Sequence, residues 1–179
     1  MLACNQDIQN QYINWIRNSD VDVFATLKFA NGYDISDAQA EQVLRVFLNK
    51  ADRTFLGKTE CKLGRRIERF VFKHYGKSGF NTHFHVAFKS FGGTTTFCNT
   101  LKTLWSSFDE SCATSRVELI RNKHAASVYC LHEYGQLKQD TFNPQLSYTN
   151  TVSMNASDFD QMRYLRRLVK ANYGTKPIS

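Results

Sequence analysis

The sequence predicts an α+β fold of the split βαβ type, the ferredoxin- or RRM-like arrangement, with a central antiparallel sheet flanked by helices. Segments dense in β-branched and aromatic residues alternate with segments whose apolar residues recur at helical spacing. Read from Val21, their order is β-α-β-β-α-β followed by a further helix, which puts the first and third strands at the centre of the sheet. With 179 residues, 42% of them hydrophobic, the chain is long enough for one well-packed domain and too apolar for wholesale disorder.

Each element has its own signal. Ile8, Tyr12, Trp15 and Ile16 fall at helical spacing, and that first helix stops before Asn18-Ser19-Asp20. Val21 to Phe29 reads as a strand. Ser36-Asp37 is positioned to cap a helix with Ala40, Val43, Leu44, Phe47 and Leu48 on one face. Arg66 to Tyr75 and Thr82 to Phe88 form a hairpin around Gly76-Lys77-Ser78-Gly79. Gly92-Gly93-Thr94 leads into a helix carrying Phe97, Leu101, Leu104, Trp105 and Phe108, and Ser115 to Ile120 is a short strand. A helix from about Lys123 to Leu137 follows. Asn143-Pro144 marks a break, so residues 1–140 are taken as the main domain and 141–179 as a helical extension, with a final helix over about Asp158 to Ala171.

Composition narrows the function. Lys and Arg outnumber Asp and Glu by 23 to 16, a net charge of +7 with a pI near 9.2, which fits a polyanionic partner or a solvated basic surface. The five cysteines are scattered without a C-x-x-C pair, against both a disulfide framework and a thiolate zinc site. The polar stretch from Met1 to Ile16 is no signal peptide, and no run approaches the roughly 20 apolar residues of a membrane span. A soluble cytoplasmic protein with no membrane partner is expected.

The chemistry concentrates in two places. In Thr82-His83-Phe84-His85-Val86-Ala87-Phe88, strand alternation puts His83 and His85 on one face, where two imidazoles can share a metal ion. If the intervening turn closes symmetrically, His74 stands opposite His83 and joins them; one residue of slip would turn it away. Glu68 shares the parity of His74 and is the other candidate third ligand, but it lies six residues earlier, roughly 20 Å along an extended strand. The second place is Val128-Tyr129-Cys130-Leu131-His132-Glu133-Tyr134-Gly135. On a helix, His132 and Glu133 share the face of Tyr129. A phenol is a weak nucleophile near neutral pH, with a pKa of about 10, but beside a divalent cation it can attack phosphorus. Tyr134, five positions on, is rotated away and reads as structural.

Taken together, the chain resembles the HUH (histidine-hydrophobic-histidine) endonucleases, and within them the single-tyrosine initiators of rolling-circle replication. Phe24-Ala-Thr-Leu-Lys-Phe29 is similar to their first-strand motif, His83-Phe84-His85 to their metal motif, and Val128 to Gly135 to their Y-x-x-K motif. The resemblance spans roughly Val21 to Gln136. It implies that Tyr129 attacks a phosphodiester of single-stranded or hairpin origin DNA, becomes linked to the 5′ phosphate and frees a 3′-OH for a host polymerase. It implies Mg²⁺ or Mn²⁺ as the ion, and an imidazole set favours the later divalent metals. The chain departs from the pattern where His132 replaces the motif's lysine, which helps position the phosphate or the metal water; His132, Lys123 or Lys138 could take that task.

DNA is expected over the exposed sheet face and the basic segments. Thr26 and Lys28 share a face of the first strand beside the site, and Lys77 lies in the hairpin turn. Arg69 and Lys73 have the opposite parity to His74 and point away from the metal, as phosphate contacts or as a solvated face. No G-x-x-x-x-G-K-[ST] loop is present, so any helicase is a separate protein or segment. Two rivals stand beside the initiator. One is a single-tyrosine HUH transposase, disfavoured because Glu133 stands where those enzymes carry glutamine. The other is a non-catalytic single-strand or RNA-binding module that uses the same sheet.

Overall fold

The computed structural model describes residues 2–134 and 141–149. Eight elements follow in order: α1 (Leu2–Asn18), β1 (Val23–Lys28), α2 (Asp37–Lys62), β2 (Arg69–His74), β3 (His83–Phe88), α3 (Thr94–Ser106), β4 (Arg116–Leu119) and α4 (Lys123–Cys130). The strands form one antiparallel sheet in the order β2-β3-β1-β4, with the first and third strands central as the split βαβ pattern requires. The chain is therefore α+β with a ferredoxin-like arrangement.

Strand alternation divides the sheet into two unlike faces. Val23, Ala25 and Leu27 of β1, Val71 of β2, Phe84, Val86 and Phe88 of β3 and Val117 of β4 all point to one side. There they pack on Ala40, Leu44, Phe47, Leu48 and Ala51 of α2 and on Phe97, Leu101 and Trp105 of α3. α2 starts with a capping box: the Ser36 hydroxyl accepts from the Gln39 N–H, and the Gln39 side chain accepts from the Ser36 N–H, each at 3.3 Å. Ser36→Ala is expected to cost about 1 kcal/mol of stability in urea unfolding, without changing the site on the far side of the sheet.

The opposite face carries Phe24, Thr26, Phe70, Phe72, His74, His83, His85 and Ala87, and it is not the open platform the sequence suggested. Its aromatics need cover, which α1, α4 and the segment at 141–148 supply. Trp15 sits edge-on to Phe70 with ring centroids 4.4 Å apart, and Phe142 lies 5.5 Å from Phe72. The chain from Thr141 to Tyr148 also runs along the outer edge of β2: Lys73 and Arg69 donate their N–H groups to Thr141 and Tyr148 carbonyls at 2.7 Å. That pairing caps an edge that would otherwise be exposed.

Two element lengths differ from expectation. α2 runs on to Lys62 across a break at Gly57, whose φ of 82° lies in the left-handed region. α4 ends at Cys130 rather than near Leu137. Its terminal carbonyls are taken by side chains: His132 Nδ1 donates to the Tyr129 carbonyl and His74 Nε2 to the Cys130 carbonyl, both at 2.7 Å, which satisfies the acceptors that another helical turn would use.

The first compact unit spans Met1–Tyr148, so Thr141 to Tyr148 belongs with the sheet rather than with an extension; the second unit is Thr149–Ser179. The helix expected over about Asp158 to Ala171 lies outside the described residues, as do Gly135 and Lys138. Among the described residues no helix is long and apolar enough to cross a membrane.

Candidate metal and tyrosine site

The hairpin register decides the site. β2 pairs with β3 so that His74 stands opposite His83, and β1 pairs with β3 so that Thr26 stands opposite His85 and Lys28 opposite His83. The three imidazoles converge, with ring centroids 4.4 Å apart for His74 and His85, 5.0 Å for His83 and His85, and 5.6 Å for His74 and His83. All are buried, His74 and His85 completely.

Each ring is held by one nitrogen. His74 Nε2 donates to the Cys130 carbonyl at 2.7 Å and His83 Nδ1 to the Asn81 carbonyl at 2.8 Å, while His85 Nδ1 is 3.1 Å from Thr26 Oγ1. A carbonyl can only accept, so the protonated nitrogens of His74 and His83 are fixed, and the other ring nitrogen of each carries a lone pair when the ring is neutral. His74 Nδ1 and His85 Nε2 are buried without any hydrogen-bond partner. Burial and the neighbouring imidazoles hold His85 well below the ordinary histidine range. Burial lowers His83 too, against the opposing pull of its bond to Asn81. Both are neutral at pH 7, the form that binds metals.

Glu133 and His132 complete the cluster from the turn after α4. The Glu133 carboxylate is buried and accepts from the N–H groups of Tyr75 and Gly76 at 2.7 and 2.9 Å. Its Oε1 stands 3.4 Å from His74 Nδ1 and 3.6 Å from His132 Nε2. Burial alone would raise this carboxyl, but the His74 ring and the Tyr75 N–H outweigh it and hold the pKa down to about 2. A lone pair facing a carboxylate oxygen in a buried site is repulsive, so the His74–Glu133 pair calls for a proton or a metal ion. Ligand atoms of His74, His85 and His132 lie within 4.8 Å of one another, and so do those of His74, His83 and Glu133. Imidazole nitrogens plus one carboxylate suit a divalent transition metal, and the hydrogen bonds behind each ring are the kind that orient metal ligands.

Tyr129 sits in the last turn of α4 with half of its surface exposed, the ring 4.8 Å from His85 and stacked on His132 at 4.8 Å and 16°. Tyr134, by contrast, is buried edge-on to Tyr12. Among the described residues, Tyr129 is thus the accessible phenol packed against the cluster.

The remaining sequence-derived candidates divide. Thr26 holds the His85 ring, and Lys28 lies on the site face, close enough to depress both His83 and His85. Lys77 is exposed in the β2–β3 turn; Lys123 is exposed too, with its amine bonded to the Ser19 carbonyl. Arg69 and Lys73 are not free for a strand on this face. Arg69 is buried in a two-pronged bond to Asp52 of α2, and Lys73 reaches Asp37 and Glu41 at 2.9 and 3.0 Å. Glu68 is outside the cluster, 3.6 Å from Lys89.

Glu133 was placed by sequence on the face of Tyr129. Because α4 stops at Cys130, the chain turns and carries Glu133 inward instead. Phe80 and Tyr33, 73% and 65% exposed, were also not singled out. Phe80 immediately precedes, and Tyr33 immediately follows, residues tied together at the site's rim, since the Thr82 N–H donates to the Gly32 carbonyl and a Cβ on Gly32 would meet Asn81 Oδ1 at 2.4 Å. No family model, curated protein or solved structure matches this chain.

Proposed function

We propose that this chain is a metal-dependent endonuclease that cleaves single-stranded DNA with Tyr129 as the nucleophile, in the manner of the HUH replication initiators it resembles. The observation that carries the reading is a half-exposed phenol packed against a buried imidazole cluster in which two ring nitrogens have no hydrogen-bond partner. His74, His83 and His85 would hold the ion, Mn²⁺ or Mg²⁺, with His132 and Glu133 within reach of it, and a bound divalent ion supplies charge to polarise the scissile phosphate. Its imidazole-rich donor set favours Mn²⁺ over Mg²⁺.

The chain's own residues supply the rest. The Tyr129 oxygen forms a bond to phosphorus, the bond from phosphorus to the 3′ oxygen breaks, and the phenolic proton ends on that oxygen through water. The product is a 5′-phosphotyrosine link and a free 3′-OH, the end a polymerase extends. His132 stacks on the Tyr129 ring and turns Nε2 toward Glu133, so it orients the nucleophile and faces the ion. Lys28, on the same sheet face, then takes the phosphate-positioning task of the family's lysine.

Phe80 and Tyr33 suit unpaired bases, which stack on exposed aromatic rings. Phe80→Ala is expected to weaken binding of a single-stranded oligonucleotide by about fivefold in fluorescence anisotropy, with metal affinity unchanged. The same rings would serve a non-catalytic binding module, so the deciding experiment is cleavage. Single-stranded oligonucleotides covering origin hairpins, incubated with Mn²⁺, should give a protein–DNA adduct stable to SDS that EDTA prevents. Binding across that set with neither cleavage nor adduct would support the module instead.

A further inference from the structure

We propose that a cleft in the helical layer, at the break in α2 and on the other side of the sheet from the histidines, is a second site that binds phosphate groups. The cleft has a volume of about 250 Å³ and is lined by Asn49, Asp52, Arg53, Lys58, Cys61, Lys62 and Arg66. Gly57 makes it: its φ of 82° interrupts α2, so Lys58 and Lys62 on the segment beyond face back toward Asn49 and Arg53 across a concavity.

Its charge is one-sided. Asp52 is the cleft's one acid, and its carboxylate is already engaged. Oδ1 accepts from Arg69 NH1 at 2.7 Å and from the Ile67 N–H at 2.9 Å, and Oδ2 accepts from Arg69 NH2 at 3.1 Å with Arg66 Nε at 3.5 Å. Arg69 therefore neutralises the acid from behind the wall. Arg66 is fixed by a further 2.8 Å bond from NH1 to the Cys61 carbonyl. Arg53, Lys58 and Lys62 are exposed and form no ion pair among the described residues. Four cationic walls around a neutralised acid focus positive potential into a concave space, where an anion gains more than on a flat surface. Guanidinium and ammonium groups beside a side-chain amide are the donors that phosphate oxygens take. The phosphate can come from a nucleic-acid backbone or from a free phosphorylated molecule, and the cleft's chemistry is the same for both.

The site does not depend on the nuclease reading, and its test is run in EDTA, where no metal-dependent cleavage occurs. The Lys58→Glu/Lys62→Glu double variant is compared with Arg17→Glu/Lys102→Glu, which changes net charge equally outside the cleft. All four positions are exposed, and circular dichroism with Tm checks the folding of both variants. Fluorescence anisotropy of a labelled single-stranded DNA across a salt series reads strand binding; titration calorimetry with sodium pyrophosphate reads free phosphate. For a strand, the cleft variant should bind at least about tenfold more weakly, with a salt slope shallower by about 1 to 1.5, while the control variant keeps the wild-type slope. For a free phosphorylated ligand, the cleft variant alone should lose pyrophosphate binding while strand binding is unchanged. The proposal is overturned if the two variants behave alike in both titrations, which would mean that net charge and not the cleft matters.

Discussion

His85→Ala is expected to lower the affinity for Mn²⁺ by more than about 100-fold and to abolish metal-dependent cleavage. Disrupting residues that merely orient metal ligands already costs 10–100-fold, roughly, and His85 stands one step closer. Its ring is fully buried, its Nδ1 is held by Thr26, and its Nε2 has no protein partner, so no neighbour can take over that nitrogen. Thr26→Val, which removes only the hydroxyl behind the ring, should cost on the order of tenfold. Protons compete with metal for these rings. Because burial holds His85 and His83 below the ordinary histidine range, protonation of those two rings should compete with Mn²⁺ only at lower pH than in a site of ordinary imidazoles. Calorimetric titration at a series of pH values checks both points; unchanged affinity in His85→Ala would place the metal elsewhere.

Glu133→Gln is expected to be the most destabilising change in the cluster. The carboxylate accepts from two hairpin N–H groups, one on each oxygen, so the amide leaves one buried donor opposed by its own NH₂. The folded-state pKa of about 2 lies below the ordinary carboxyl value, so Glu133 contributes its stability in full above about pH 4.5 and loses it as the pH falls through 2. The difference corresponds to about 3 kcal/mol. Urea unfolding of the wild type should weaken over that acid range, and the Gln variant should start lower and show a flatter acid limb. Equal acid limbs would mean that Glu133 is not the group responsible.

Much of this was legible in the sequence because strands write their faces in alternate residues. His83 and His85 had to share a face, and glycines in the turn, with Gly76 and Gly79 at φ of 69° and 77°, allowed the symmetric closure that brings His74 opposite His83. Strand parity likewise put Arg69 and Lys73 on the side away from the histidines. It could not say that α2 would bring Asp52, Asp37 and Glu41 to meet them, because those contacts join residues far apart in the chain. The end of α4 was hidden for the same reason. The helix end at Cys130 is only partly local: His132 takes the Tyr129 carbonyl, but the imidazole on the Cys130 carbonyl comes from β2. Glu133 therefore reaches the cluster from the turn after α4 rather than from a helix face. The cover over the histidine face was equally a tertiary matter, since only the fold reveals that Trp15 and Phe142 lie on Phe70 and Phe72.

The central claim is that Tyr129, the half-exposed tyrosine beside the imidazole cluster, becomes joined to DNA. Peptide mass spectrometry of the Mn²⁺-dependent adduct, after the DNA is trimmed with nuclease, tests it most directly. The phosphonucleotide mass should sit on the peptide containing Tyr129, and Tyr129→Phe, which keeps the ring packed on His132 and keeps metal affinity, should yield no adduct. An adduct on another residue, or one that survives Tyr129→Phe, would contradict the account.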